Sequence, residues 1–146
     1  MTDGYVFDVE PLIAYLYDEP GHEAVAGYLK DVTENGVSGA LAETNAAEVF
    51  YLIARFEGDE NDKPTPESLR IADRDLRALE RGGIDIERAD WRIAAEIKTD
   101  GHISLADTHA VALAEKRGYS LIAGGDDDFD ELPVDIDVIR FRDGGA

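Results

Sequence analysis

The 146-residue chain has no cysteine, one methionine and one tryptophan, and its lysines stand only at positions 30, 63, 98 and 116. Without cysteine there is no disulfide scaffold, no thiolate zinc site and no cysteine nucleophile. Its apolar stretches fall far short of the roughly 18 residues that a membrane span needs. Met1-Thr2-Asp3-Gly4-Tyr5 lacks the basic start and apolar core of a signal peptide. Positive charge is scarce altogether, since 14 Lys and Arg face 33 Asp and Glu for a formal net charge of −19. These absences lead us to expect a soluble, cytoplasmic protein with no membrane partner. What is present is enough for a core: 44% of residues are hydrophobic. A chain of this length reads as one domain, 1–146, able to bury roughly two-thirds of the surface its unfolded form exposes.

In dilute buffer such an acidic surface repels nucleic acid phosphates and anionic membranes. The choice of residues suggests a second reading. Asp outnumbers Glu, Arg outnumbers Lys, and large exposed apolar groups are few. Short hydrated carboxylates with scarce lysine stems suit a halophilic protein, for at ~1 M salt the Debye length is only about 3 Å and self-repulsion is screened.

Along the chain, strand and helix signals alternate, which favours an α/β domain with a mostly parallel sheet. Tyr5-Val6-Phe7 reads as a short buried strand ending at Asp8, and Pro11 suits the first turn of a helix through Leu16. A helix over 22–34 stops at Asn35-Gly36, and 37–41 is a small-residue strand. Thr44 or Asn45 is then placed to cap a helix reaching Arg55. After a polar loop over 58–66 comes a helix ending at Gly82-Gly83; its Thr65 and Ser68 fall short of a full capping box, which wants Glu or Gln. A strand over 84–86, a helix over about 89–99, and a helix capped by Ser104 and broken at Gly118 follow. Strands over 119–123 and 134–141 complete the pattern.

Most of so many acids must be solvated surface, but four fall in informative places. Asp8 and Asp126 each follow an apolar strand at its carboxyl end, where open α/β sheets line their ligand crevice. Asp107 shares a helix stripe with Ile103, Ala110 and Val111, so it is either a buried carboxylate needing a partner or a first-turn acid that complements the helix dipole. Glu48 borders an apolar helix face. Four converging carboxylates stay ionised only beside a cation. With no Cys and no paired His, the oxygen donors favour Mg²⁺ or Mn²⁺ over Zn²⁺. Such a site activates water and holds a phosphate oxygen, which suits phosphodiester hydrolysis. His22, His102 and His109 have no partner at metal spacing, and Trp91, Phe50 and Phe56 read as core or dimer contacts. Arg70, Arg74, Arg77 and Arg81 form a cationic stripe, read first as intrahelix ion pairs and second as an RNA contact.

Three segments carry a resemblance that covers nearly the whole chain: Val6-Phe7-Asp8-Val9-Glu10-Pro11-Leu12-Ile13, Asn45-Ala46-Ala47-Glu48-Val49, and a C-terminal pair. The pair is Ser104-Leu105-Ala106-Asp107 and, about twenty residues later, Leu121-Ile122-Ala123-Gly124-Gly125-Asp126-Asp127-Asp128-Phe129. Together they resemble a PIN-domain ribonuclease of the VapC toxin type. The resemblance implies an α/β/α sandwich and a metal site formed by Asp8, Glu48, Asp107 and Asp126. It further implies Mg²⁺- or Mn²⁺-dependent endonucleolytic cleavage of RNA, a homodimer and a cognate antitoxin that blocks the cleft. Two positions depart from the family pattern. Glu10 stands where a small hydroxyl residue is usual, and Gly124 stands where Thr or Ser usually precedes the last acid. The second departure leaves room for Asp128 to share the role of Asp126. A housekeeping PIN nuclease and a non-catalytic binding module of the same fold remain alternatives, with an aspartyl-nucleophile phosphotransferase more distant.

Overall fold

The computed structural model describes residues 3–124 and 129–142. Five strands, β1 (Gly4–Phe7), β2 (Ser38–Ala42), β3 (Ile84–Glu87), β4 (Ser120–Ala123) and β5 (Val138–Arg140), alternate with six helices. The helices are α1 (Val9–Leu16), α2 (His22–Glu34), α3 (Glu43–Phe56), α4 (Pro66–Arg81), α5 (Trp91–Asp100) and α6 (Leu105–Arg117). Every strand pair is parallel, in the order β3-β2-β1-β4-β5. Among the described residues no helix is long and apolar enough to cross a membrane.

Both faces of the sheet are covered, so the inner strands β1, β2 and β4 are buried along nearly their whole length, whereas the edge strand β3 alternates Ile84 and Ile86 with Asp85 and Glu87. Tyr5, Phe7, Leu41 and Ile122 point into a core shared with α1, α2, α3 and α4, where Leu12, Val25, Ile53 and Leu76 pack. Val6, Ala40, Leu121 and Ala123 point the other way, into a core with Ile97 of α5 and Val111 and Leu113 of α6. The result is the expected α/β/α sandwich. Helix α6 is buried nearly all round from Ala110 to Ala114. Its small residues let it lie close beneath the sheet; it starts at the expected Ser104 cap and ends at the expected Gly118, which is left-handed.

Several local expectations change. Thr44 and Asn45 do not cap α3; the helix begins two or three residues earlier, after extended Ala42, and Asn45 is fully buried inside it. Thr65 and Ser68 do form a reciprocal capping box, because the Ser68 hydroxyl accepts from the Thr65 N–H at 2.7 Å while Thr65 Oγ1 accepts from the Ser68 N–H at 3.0 Å. A serine thus does the work expected only of Glu or Gln. Helix α5 starts at Trp91 because the Asp90 carboxylate accepts from the N–H groups of Arg92 and Ile93. Strand β5 is shorter than 134–141, since its partner β4 has only four residues to pair with. Trp91 and Phe56 stand out from the protein surface at 62% and 51% exposure, so neither fills the core, whereas Phe50 packs against it.

The capping box gives a direct check. Thr65→Ala is expected to cost about 1 kcal/mol, read as a lower denaturation midpoint with an unchanged slope. An unaltered midpoint would mean that the two hydrogen bonds contribute nothing net.

Candidate active site

The strand order reverses beside β1: β2 and β3 extend the sheet one way, β4 and β5 the other. At such a switch point the loops leaving adjacent carboxyl ends diverge and open a crevice. Asp8 sits at this point. It follows Phe7 directly, its N–H donates to the Ile122 carbonyl of β4 at 3.0 Å, and only 4% of its surface is exposed. The apolar run of β1 carries the carboxylate inward, and α1 begins at the next residue.

Asp107 enters from the first turn of α6, its N–H held by the Ser104 hydroxyl at 3.2 Å. Glu48 enters from the second turn of α3. Both are half-buried. Asp8, Glu10, Glu19, Glu48 and Asp107, with Val9, Ile13 and Leu52, line a cleft of about 270 Å³. Larger hollows of about 530 and 550 Å³ lie at the amino-terminal end of β4 and between residues 100–103 and 130–133, away from these acids. Volume alone would therefore mislead; the convergence of carboxylates marks the site.

Electrostatics bind the three acids together. Burial pushes the Asp8 carboxyl well above its ordinary value, and the neighbouring Asp107 charge and hydrogen bond, with the Glu48 charge, push it further. The Val9 N–H opposes this by stabilising the anion. Glu48 is raised by burial and then by Asp107. Asp8 Oδ1 is buried with no hydrogen-bond partner among the described residues. Like charges held this close in low dielectric, with a lone pair left over, form a set of hard oxygen donors that a divalent cation would satisfy. The described acids do not by themselves close into a group of three or more at metal-holding distance. Asp126 lies outside the described residues, as do Asp127 and Asp128.

Sequence reasoning about Asn45 looked to the wrong role. Its side-chain N–H donates to the Ala106 carbonyl at 3.1 Å, tying α3 to the turn that carries Asp107, and its Oδ1 is buried without a partner among the described residues. The signal was available, since Asn45 lies one turn before Glu48 on the same stripe. The ring of His109 contacts the Leu105 carbonyl at 2.9 Å, the ordinary lot of a helix histidine.

The PIN domain model matches residues 5–135. The chain belongs to the PIN domain family. It is 29% identical over 133 residues to the VapC ribonuclease Mb2780c of Mycobacterium bovis and to ribonuclease VapC42 of Mycobacterium tuberculosis, covering 84% of this chain and 91% of each relative. Among solved structures, the fold resembles VapBC2 from Rickettsia felis, bound to a DNA fragment from their promoter, with a TM-score of 0.68 at 12% identity. That alignment covers 93% of this chain and 97% of the other. FitAcB from Neisseria gonorrhoeae matches with a TM-score of 0.62 at 18% identity, over 94% and 97% of the two chains. In this PIN domain Asp8, Glu48 and Asp107 thus come from the end of β1, from α3 and from α6, three elements brought together only by the fold.

The raised carboxyl of Asp8 fixes a pH dependence. Below the ordinary Asp value of 3.8 the group is protonated whether folded or not, and it contributes nothing. As pH rises past that value the unfolded chain ionises first, so stability is lost until pH exceeds the folded value. In metal-free protein, Asp8→Asn should therefore melt a few degrees above wild type at neutral pH, with the gap closing in acid. Thermal melts followed by circular dichroism across pH, in chelator, measure it. A gap that does not change with pH would place its origin elsewhere.

Proposed function

We propose that this PIN domain is a metal-dependent endoribonuclease and the toxin of a toxin–antitoxin pair. The observation that carries the reading is the buried, unpartnered Asp8 oxygen at the strand switch point, electrostatically joined to Asp107 and Glu48. The similarity to the mycobacterial VapC ribonucleases supports RNA as the substrate. The likeness in fold to VapBC2 and FitAcB supports an antitoxin as partner.

In this reading Asp8, Asp107 and Asp126 hold Mg²⁺ or Mn²⁺, with Glu48 as a further ligand or as the group that orients a bound water. The cation, when bound, supplies an activated water and neutralises charge on the scissile phosphate. The chain supplies the rest. Asp8 is fixed by strand pairing on one side and by the start of α1 on the other, so it needs no reorganisation to act. Asn45 keeps α3 and α6 in register, holding Glu48 and Asp107 toward the same cleft. A homodimer belongs to the same reading, with the exposed Trp91 and Phe56 among the apolar surface left for a second copy or for the antitoxin.

Asp107→Asn is expected to lower the RNA cleavage rate about 100-fold or more and to abolish growth inhibition, with an unchanged circular dichroism spectrum. Near wild-type cleavage by the purified, folded variant would overturn the assignment, and a non-catalytic module would then account for the fold. Salt offers a separate check on the halophilic surface. With a net charge of −19, cleavage should rise from dilute buffer to molar KCl as phosphate repulsion is screened, opposite in sign to a nuclease with a basic surface. A steady fall with salt would remove the salt-adapted reading.

A further inference from the structure

The two positions where the chain departs from the family pattern, Glu10 and Gly124, are far apart in sequence and touch in space. Gly124 is the residue directly after β4 and is buried at the switch point. A Cβ built on it would overlap the carboxylate of Glu10, with both the Cδ and Oε2 atoms inside contact distance. The Glu10 carboxylate therefore occupies the space that a side chain at 124 would fill, so any larger residue there would have to displace it. Glu10 belongs to the first turn of α1, two residues after Asp8, and lines the same cleft as Asp8, Glu48 and Asp107.

The carboxylate is not left to find its own place. Arg142 donates to Glu10 Oε1 through one terminal nitrogen and to the Pro20 carbonyl, at 3.0 Å, through the other. Its guanidinium also lies 4.8 Å from the centre of the Phe141 ring, and Phe141 is itself buried against Gly21. On the other side Arg140 donates to the Gly124 carbonyl at 3.1 Å and pairs with Asp130. Two arginines at the end of the chain thus grip the glycine and the acid that fills its side-chain space. A glutamate in that position without Arg142 would be one more like charge beside Asp8, free to swing to solvent.

We propose that Glu10, locked by Arg142 over Gly124, is a positioning residue of the active site. It delivers from α1 the acceptor oxygen that a hydroxyl side chain at position 124 would otherwise supply from β4. The inference rests on the metal-dependent reading of the cleft. The oxygen serves the hydrated cation held by Asp8 and Asp107, as an outer partner orients a bound water without contacting the reacting atoms. The two departures are then one exchange, in which an oxygen has moved from one element to another while its place in the cleft is kept.

The test is a set of variants read by calorimetric titration with Mn²⁺ and by steady-state cleavage of RNA, each in molar KCl. Wild type should bind Mn²⁺ in a manner that Asp8→Asn abolishes. Glu10→Ala should weaken Mn²⁺ binding about 10-fold or more and lower kcat while leaving KM for RNA little changed. Glu10→Gln, which keeps the shape and one acceptor oxygen, should lose less. Gly124→Ser alone should be impaired by collision with Glu10, and Glu10→Ala combined with Gly124→Ser should recover most of the Mn²⁺ affinity. Glu10→Ala combined with Gly124→Ala fills the same space without an oxygen and should not recover it. Equal recovery in the two double variants would overturn the proposal in favour of simple packing, as would unchanged Mn²⁺ affinity in Glu10→Ala. Absence of Asp8-dependent Mn²⁺ binding in wild type would overturn the reading of the cleft and this proposal with it. Binding that Asp8→Asn abolishes but Glu10→Ala leaves intact would overturn the proposal alone.

Discussion

A carboxylate buried at the end of a central strand is the constraint around which the rest of this molecule is arranged. Asp8 has almost no contact with solvent, yet it is placed beside two other acids, and one of its oxygens has no partner among the described residues. Nothing about hydrophobic folding favours that arrangement, because desolvating a carboxylate next to like charges is costly. The cost is tolerated because the surrounding structure is over-determined. Asp8 is tied through its N–H to β4, follows a fully buried strand and is followed at once by a helix whose apolar residues pack into the larger core. A site that resists collapse in this way suits the proposed cation, which would relieve the repulsion.

The remaining acids reach the cleft by different physical routes. Asp107 is positioned by a cap, since Ser104 starts α6 and so sets the direction in which its first turn faces. Glu48 is positioned by helix packing, with Asn45 acting as the tie between α3 and α6. Glu10 is positioned by an ion pair to a residue 132 positions away. Strand end, helix cap, helix register and long-range salt bridge therefore all aim at one crevice, which the reversal of strand order opens.

This variety explains how much was legible in the sequence. Local chemistry was readable: Tyr5-Val6-Phe7 and the acid behind it, the Ser104 cap and the Gly118 break, and the mostly parallel sheet implied by strands alternating with helices. Where one side chain can play two roles, reading by residue type went astray. Ser68 completed a capping box that the pattern reserves for longer side chains, and Asn45 was assigned to a helix terminus when its amide lies buried between helices. The partnership of Glu10, Gly124 and Arg142 was out of reach, because each residue looks ordinary or anomalous alone and the contact exists only after β1, β4 and β5 have paired. Glu10 and Gly124 were visible as two departures; that they fill one volume is a three-dimensional fact.

The charge of the chain then acquires a physical limit. Three of the four arginines that suggested a cationic stripe on α4 are engaged with neighbours: Arg70 with Glu67, Arg74 with Asp75, and Arg77 with Asp73 and Glu80. Arg140 and Arg142, nearest the cleft, are committed to Asp130 and Glu10. With a net charge of −19, little long-range attraction is left for a polyanion, so steering of RNA by a basic surface is not how this protein would find its substrate. At high salt, where charges beyond about 3 Å are screened, long-range steering loses its value and short-range ligation decides. An acidic cleft that holds a divalent ion attracts phosphate only at that range. In the proposed reading the surface acids repel RNA, while the few acids of the cleft, holding a cation, would concentrate the remaining attraction where cleavage would occur.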